Sequence, residues 1–290
     1  MRNRIAASVM AVVAALACSS VVSAQRGQAR QGGAPAVKEG FISEGIPKMP
    51  NPPGPAPKRD LSGAWVGPGI SNKPEPVPPM TPAGQARFKQ NKPYGPASQN
   101  AVESERISND PFITCDPLGF PRDLLAPAIN GRGGVLFGSA PNRMLIAYEQ
   151  QRVWREIWLD GRALPTKVDV KGAPESRYYG YSVGHWENDN TFVIDTTGVD
   201  DRPWLDEPGH PRSSSAHIQE RYTRVDQYNL QLTVTVDDPK FYTKPWTFMR
   251  ANFYWMKNQE FAETLCIPSE GIEYRDSLAR PSGILIEAPR

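Results

Sequence analysis

The chain is poor in the residues that most often hold metals. It has three cysteines and three histidines among 290 residues, with no Cys-x-x-Cys pair and no clustered histidines. This composition gives no zinc pattern, and we expect no metal site. Residues 130–134 are rich in glycine but lack the Lys-Ser/Thr pair and the helix of a phosphate loop. No cofactor is indicated.

Long apolar runs are also scarce, and the only one lies at the start. Arg2 and Arg4 precede an uncharged apolar run from Ile5 to Ala17, and Val22-Ser23-Ala24 has the form of a signal-peptidase site. The run is too short for a membrane span of about 20 residues. We therefore predict a signal peptide at 1–24, a periplasmic or secreted protein and no transmembrane span. Lipoprotein processing before Cys18 is the alternative.

Neither sign of charge is in clear excess. The chain has 33 Lys and Arg against 31 Asp and Glu, and removal of residues 1–24 leaves 31 of each. Proteins that bind nucleic acid or anionic membranes show a basic excess or stripe. We therefore expect neither as a partner.

Export would leave two cysteines in an oxidising compartment. Cys115 and Cys266 then have a single intramolecular pairing. Such a disulfide would close a loop of about 150 residues and stabilise the fold by about 3–5 kcal/mol. The alternative is two separate buried thiols.

Composition divides the remaining chain into a tether and one domain. Residues 25–58 are rich in Gln, Arg, Gly, Ala and Pro and predict a disordered tether. Residues 59–290 are expected to form a single β domain. Many prolines at 66–125 exclude sheet interior there and predict an extended wrap over the domain. One short helix is expected from Pro82 to Lys89, with Thr81 as its N-cap.

Short runs rich in β-branched and aromatic residues fill the second half and predict strands. Turn residues such as Asn188-Asp189-Asn190 separate neighbouring runs, and no crossover helix is indicated. Alternation is clearest from Leu230 to Val236. About nine or ten strands predict an all-β fold, an antiparallel up-and-down barrel or a strongly curved sheet. The runs are Val135 to Phe137, Met144 to Glu149, Val153 to Leu159, Tyr178 to Glu187, Thr191 to Thr196, Ile218 to Val225, Leu230 to Val236, Thr247 to Met256 and Glu260 to Cys266.

Several motifs resemble those of a family of exported bacterial proteins of unassigned function. Four of them are Asp-Leu-Ser-Gly-Ala-Trp at 60–65, Cys-Asp-Pro-Leu-Gly-Phe-Pro-Arg at 115–122, Gly-Tyr-Ser-Val-Gly-His-Trp-Glu at 180–187 and Asp-Asp-Pro-Lys-Phe-Tyr-Thr-Lys-Pro-Trp at 237–246. The resemblance covers about residues 60–270 and implies an exported, β-rich fold without a defined activity. Relatives often read Gly-Arg-Pro-His-Ser where this chain has Gly-His-Pro-Arg-Ser at 209–213. A catalytic imidazole would not survive that exchange, so His210 is not expected to be catalytic.

Two sets of residues are candidates for acid–base or nucleophilic chemistry. His185 and Glu187 lie two apart and share a strand face with Tyr179 and Tyr181, the minimum for general acid–base catalysis. A turn at Asn188-Asp189 would place His185 opposite Phe192. The alternative is a structural His–Glu pair. Residues 180–184 also match Gly-x-Ser-x-Gly, but a hairpin and not a helix follows, so we interpret these glycines as packing residues.

Arginines among apolar neighbours predict either ion pairs or an anionic ligand. Arg155 lies in mid-strand, and Glu220 and Arg221 raise the same question on another strand. Cross-strand ion pairs are one interpretation, and a carboxylate ligand held by Arg155 or Arg221 is the other.

We expect an exported β-barrel-like protein that binds a small, partly apolar ligand, with Trp186, Tyr179 and Tyr181 as its aromatic contacts. The alternative function is a lyase or hydrolase that uses His185 and Glu187.

Overall fold

A computed structural model describes residues 52–67, 76–94, 99–102, 107–125, 134–257, 260–261, 265–267 and 269. The predicted signal peptide and residues 25–51 of the predicted tether lie outside this part of the chain. Within it, nine strands close into one barrel in the order of the sequence. The strands are β1 (Gly63–Val66), β2 (Gly134–Ala140), β3 (Arg143–Tyr148), β4 (Trp154–Trp158), β5 (Tyr181–Trp186), β6 (Thr191–Thr197), β7 (His217–Arg224), β8 (Asn229–Asp237) and β9 (Trp246–Met256).

The predicted all-β barrel is confirmed, and its closure depends on the shortest strand. β1 pairs antiparallel with both β2 and β9, so that Trp65 lies opposite Val135 on one side and Trp255 on the other. The predicted last strand, Glu260 to Cys266, is wrong for its described residues, which are not in a strand. Because β1 occupies the free edge of β9, no hairpin partner is needed there.

One neighbouring pair departs from the predicted antiparallel pattern. β4 and β5 run parallel and pair only at Ile157 with Ser182 and at Trp158 with Val183. The long connection 159–180 contains no strand, so the chain returns to the end at which β4 began before β5 starts. The expectation of antiparallel pairing throughout is therefore wrong at this position.

Apolar side chains fill the barrel interior. On β8 the alternation predicted from sequence is present, since Leu230, Leu232, Val234 and Val236 are at most 1% exposed and Gln231 between them is exposed. Fully burying a side chain of this size stabilises a protein by about 1.5–3 kcal/mol. These residues belong to one continuous core that also includes Trp65, Phe120 and Tyr222.

The described residues of the predicted proline-rich wrap lie against the barrel. Its helix α1 (Pro82–Gln90) begins where expected, with the Thr81 hydroxyl oxygen accepting a hydrogen bond from the Gly84 amide at 3.1 Å. The Thr81 amide donates to the Phe241 carbonyl at 3.0 Å. A Cβ at Gly84 would lie 2.2 Å from that carbonyl oxygen, so only glycine lets the helix approach so closely.

A disulfide ties the last part of the wrap to a residue that follows β9. Cys115 and Cys266 are bonded, with their Cα atoms 5.4 Å apart, which confirms the predicted pairing and excludes two separate thiols. In the described end of the predicted tether, residues 52–58, the carbonyl of Gly54 accepts a hydrogen bond from the Gln227 amide at 3.0 Å. In the described residues no helix has the length and apolarity needed to cross a membrane.

Candidate functional site

A groove of about 440 Å3 opens beside the short pairing of β4 with β5. It exists because the chain just before β5 turns away from β4. The Arg177 amide donates to Gly198 O at 3.0 Å, so this segment pairs with residues that follow β6. Gly180 makes the turn back at φ 64°, where a Cβ would lie 2.7 Å from the Thr197 carbonyl oxygen. Residues 154–156 of β4 are thereby left without a β5 partner.

Aromatic rings form the walls of this groove. Trp154 is 60% exposed, and the other aromatic residues of the lining are Trp158, Tyr178, Tyr179 and Tyr181. Exposed aromatic rings in a concave surface favour a ligand with a flat, partly apolar body.

Four arginines lie over three of these rings. Three of the four arginines form ion pairs with carboxylates. Arg143 and Arg162 both lie over Trp158, at 4.0 and 3.3 Å from its ring centroid, and Arg202 lies over Tyr178 at 4.8 Å. These three have carboxylate partners, which are Glu156 at 2.8 Å, Asp160 at 2.6 Å and Asp200 at 2.7 Å.

Arg177 is the exception. Its guanidinium lies 4.2 Å from the Tyr181 ring centroid, and no carboxylate of the described residues forms an ion pair with it. Arg177 is exposed and lines the groove. The groove therefore presents one cation that a ligand carboxylate could neutralise.

Arg155 lines the groove and belongs to a buried ion pair. Arg155 reaches from β4 across the barrel to Glu220 on β7, with Nη2 donating to Oε1 at 2.9 Å. Its Nη2 also donates to the hydroxyls of Ser182 at 2.9 Å and Thr196 at 3.1 Å, and Nη1 donates to Tyr148 at 2.8 Å.

This pairing fixes the charge of Arg155. Burial alone would lower the pKa of Arg155, but the Glu220 carboxylate and the Tyr148 hydroxyl outweigh it and hold the pKa above its usual value. Tyr222 donates to Glu220 Oε2 at 3.0 Å, and the Phe120 ring lies 4.3 Å from the guanidinium carbon. An ion pair inside the barrel was one of the two interpretations of Arg155, and Glu220 is its partner. Ligand binding by Arg155 stays a prediction.

A second buried acid lies behind the groove wall. The Tyr179 hydroxyl donates to Asp123 Oδ2 at 2.6 Å, and Tyr179 lines the groove. Burial raises the pKa of Asp123 to about 7, although the hydrogen bond from Tyr179 and the charge of Arg155 act to lower it. The other oxygen, Oδ1, is buried without a hydrogen-bond partner in the described part of the chain.

His185 and Glu187 lie on β5 and just beyond its end, and neither lines the groove. The predicted register of their hairpin is wrong, because His185 lies opposite Val193 and not opposite Phe192. The reason is the turn, which uses three residues, 188–190, and is closed by the Glu187 amide donating to Thr191 O at 3.0 Å.

The predicted ligand residues divide between the two faces of the barrel wall. Arg221 donates to the Glu187 carboxylate, and this hydrogen bond lowers the pKa of Glu187. His185 is exposed, whereas Trp186 packs against the core with its ring 5.1 Å from that of Phe192. Tyr179 and Tyr181 line the groove, but Trp186 and Arg221 do not. Their assignment to ligand binding and the acid–base pair stay predictions.

The Gly-x-Ser-x-Gly match has a packing explanation. Ser182 is buried, accepts a hydrogen bond from Arg155 and exchanges one with Thr196 at 2.8 Å. A Cβ at Gly184 would lie 2.5 Å from the Phe192 ring and 2.8 Å from Ile157. A serine held in this way is not presented as a nucleophile on an exposed turn.

The sequence did not identify three residues of this site: Asp123, Tyr148 and Arg177. Asp123 lies in a proline-rich stretch without periodicity, and Arg177 in an irregular connection, so neither had a pattern to place it on a face. Tyr148 lies in a predicted strand, where its neighbours Met144 and Ile146 gave an ordinary apolar face.

Comparisons with protein-family models, with curated proteins and with solved structures found no match to this chain. The resemblance to an exported bacterial family therefore stays a prediction based on motifs. Among the described residues no group of three or more His, Cys, Asp and Glu side chains could hold a metal ion.

Proposed function

We propose that this protein is an exported barrel that binds a small, partly apolar ligand with one carboxylate in the groove beside β4 and β5. The observation that carries the proposal is Arg177, an exposed cation stacked on Tyr181 within an aromatic groove and without a carboxylate partner among the described residues. Stacking on the rings would hold the ligand body, and Arg177 would select the anion.

Export is supported by the disulfide between Cys115 and Cys266. Disulfides persist in oxidising compartments such as the periplasm and are rare where thiols are kept reduced. The leader-like residues 1–24 predict the same location from sequence.

The test is calorimetric titration with 2-naphthoate, which has a flat apolar body and one carboxylate. We expect Arg177→Gln to weaken binding about tenfold, equivalent to about 1.4 kcal/mol. Trp154→Ala should weaken it as well, because an exposed ring is lost from the wall. Arg87→Gln, which removes an arginine on helix α1 away from the groove, is the matched control. Equal affinity of Arg177→Gln and wild type, or no binding by wild type, would refute the proposal.

The alternative function, acid–base catalysis by His185 and Glu187, has less support. Arg221 already occupies the Glu187 carboxylate, and the pair lies outside the groove.

A further inference from the structure

The pair of Asp123 and Tyr179 is a buried acid placed one side chain away from the groove. Tyr179 lines the groove and uses its hydroxyl hydrogen for Asp123 Oδ2 at 2.6 Å. Asp123 Oδ1 has no donor in the described part of the chain. A carboxylate oxygen without a donor is costly to bury, and a proton on that oxygen would remove the charge without breaking the bond to Tyr179.

Other acids compared with Asp123 accept hydrogen bonds from arginine side chains. Glu220 is held by Arg155 and Tyr222, Glu156 by Arg143, Asp110 by two bonds from Arg122, and Asp200 by Arg202. Protonating any of these would cost a charge-assisted hydrogen bond. Of these five acids, Asp123 is thus the one at which a proton costs least.

Arg212 adds a buried positive charge that acts on Tyr179, and the carboxylates of Asp200 and Asp201 act on Arg212 in turn. Its guanidinium is fully buried and donates only to backbone carbonyls, those of Asp200 at 2.8 Å, Phe120 and Tyr178 at 3.0 Å. Burial lowers the pKa of Arg212 to about 10, which leaves it charged at neutral pH.

A ligand carboxylate in the groove would act on Asp123 through its charge. Only Tyr179 lies between the groove and Asp123 Oδ2. A negative charge that enters a desolvated region favours the neutral, protonated form of a nearby carboxyl group, because charges interact strongly there.

Building on the proposed binding of a carboxylate in the groove, we propose that the ligand enters together with one proton from solvent, which Asp123 takes up on Oδ1. The groups that act on Asp123 are Tyr179 from the groove wall, Tyr148 from β3 and Arg155 from β4, and Arg212 acts on Tyr179. The raised pKa of Asp123, about 7, places the exchange in the neutral range.

The test is calorimetric titration of 2-naphthoate into wild type in two buffers of different ionisation enthalpy. We expect uptake of a fraction of a proton near pH 7, and an affinity that falls by up to about tenfold per pH unit above the pKa of Asp123. Asp123→Asn keeps the shape of the side chain but cannot titrate. It should bind without proton uptake and with an affinity independent of pH. All three histidines remain in this variant, so uptake that persists in Asp123→Asn would overturn the inference.

A second measurement does not depend on the variant folding. The Asp123 carboxyl carbon is followed by 13C NMR in wild type with and without 2-naphthoate, and its titration midpoint should rise on binding. An unchanged midpoint with bound 2-naphthoate refutes the proton uptake and leaves groove binding intact. Absence of 2-naphthoate binding refutes both.

Discussion

Two sides of the barrel are built in different ways. β8 pairs along nearly its whole length with β7 on one side and β9 on the other, and the inner face of β8 is entirely apolar. On the other side, β4 and β5 pair at two positions only, and the inner face carries Arg155 and Ser182. The side with little backbone pairing is therefore the one that depends on side-chain hydrogen bonds, and it is also the side that holds the groove.

The difference separates stability from binding. Continuous ladders with an apolar inner face need no particular partner for any one side chain. Buried polar groups need each partner in place, because a group left without one costs more than the hydrogen bond gained. A groove beside such groups therefore has charged side chains that are held in fixed positions. Four experiments test this difference between the two sides.

Removal of Arg155 should have the largest effect. Arg155→Met leaves the Glu220 carboxylate buried without its cation, and we expect a loss of about 3–5 kcal/mol in the free energy of unfolding. Urea unfolding followed by tryptophan fluorescence measures this. The double variant Arg155→Met/Glu220→Leu should recover most of the loss. A single variant within about 1 kcal/mol of wild type would show that the ion pair does not stabilise this side.

A cavity in the apolar wall should have the next largest effect. Leu232→Ala on β8 removes a side chain that is 1% exposed, and we expect a loss of about 3 kcal/mol in urea unfolding. The neighbouring Gln231→Ala on the outer face is the control and should change stability by less than about 0.5 kcal/mol. Similar losses in both variants would contradict the inward and outward assignment of β8.

Amide exchange should show the weak pairing directly. Residues 154–156 of β4 have no β5 partner, whereas residues 230–236 pair on both sides. We expect amides of the first group to exchange about tenfold faster or more, measured by hydrogen–deuterium exchange with mass spectrometry. Equal protection of both groups would mean that the barrel opens as one unit.

The smallest effect concerns the outer face, where His217 Nε2 lies 2.9 Å from Asp195 Oδ1. This hydrogen bond raises the pKa of His217 and lowers that of Asp195. The stabilisation is complete below the ordinary pKa of histidine and is lost as pH rises through the raised pKa. On the acid side it is lost as pH falls through the lowered pKa of Asp195.

Because both side chains are partly exposed, the difference between wild type and His217→Gln should be less than about 1 kcal/mol. Melting temperatures of the two proteins at pH 5.5 and 8.5 measure it, and their difference cancels the titration of Asp123. A larger advantage of wild type at the higher pH would reverse the expected sign.

The sequence predicted the elements whose signals are local. Most strands from β2 to β9 were found because each has alternating or β-branched residues between turn residues, and Thr81 marked the start of α1. β1 was not placed in the sheet, because a strand of four residues has no measurable period. The pairing of β4 with β5 depends on a long irregular connection that gives no pattern.

The site was predicted only in part for the same reason. The sequence showed that Arg155 needs an acidic or anionic partner, but Glu220 is 65 residues away and lies across the barrel. The groove itself depends on the positive φ of Gly180 and on hydrogen bonds between Arg177 and residues after β6. These features depend on tertiary contacts, which cannot be predicted from the residues that are adjacent in the sequence.

The disulfide has a topological consequence. The bond between Cys115 and Cys266 turns residues 115–266 into a covalent ring that contains eight of the nine strands, and β1 alone lies outside it. If residues up to 67 were removed, β2 and β9 would each lack a partner strand on one edge, while the covalent ring would stay closed. A separate peptide with the sequence of residues 60–67 could then complete the barrel, as donor strands do in other β proteins.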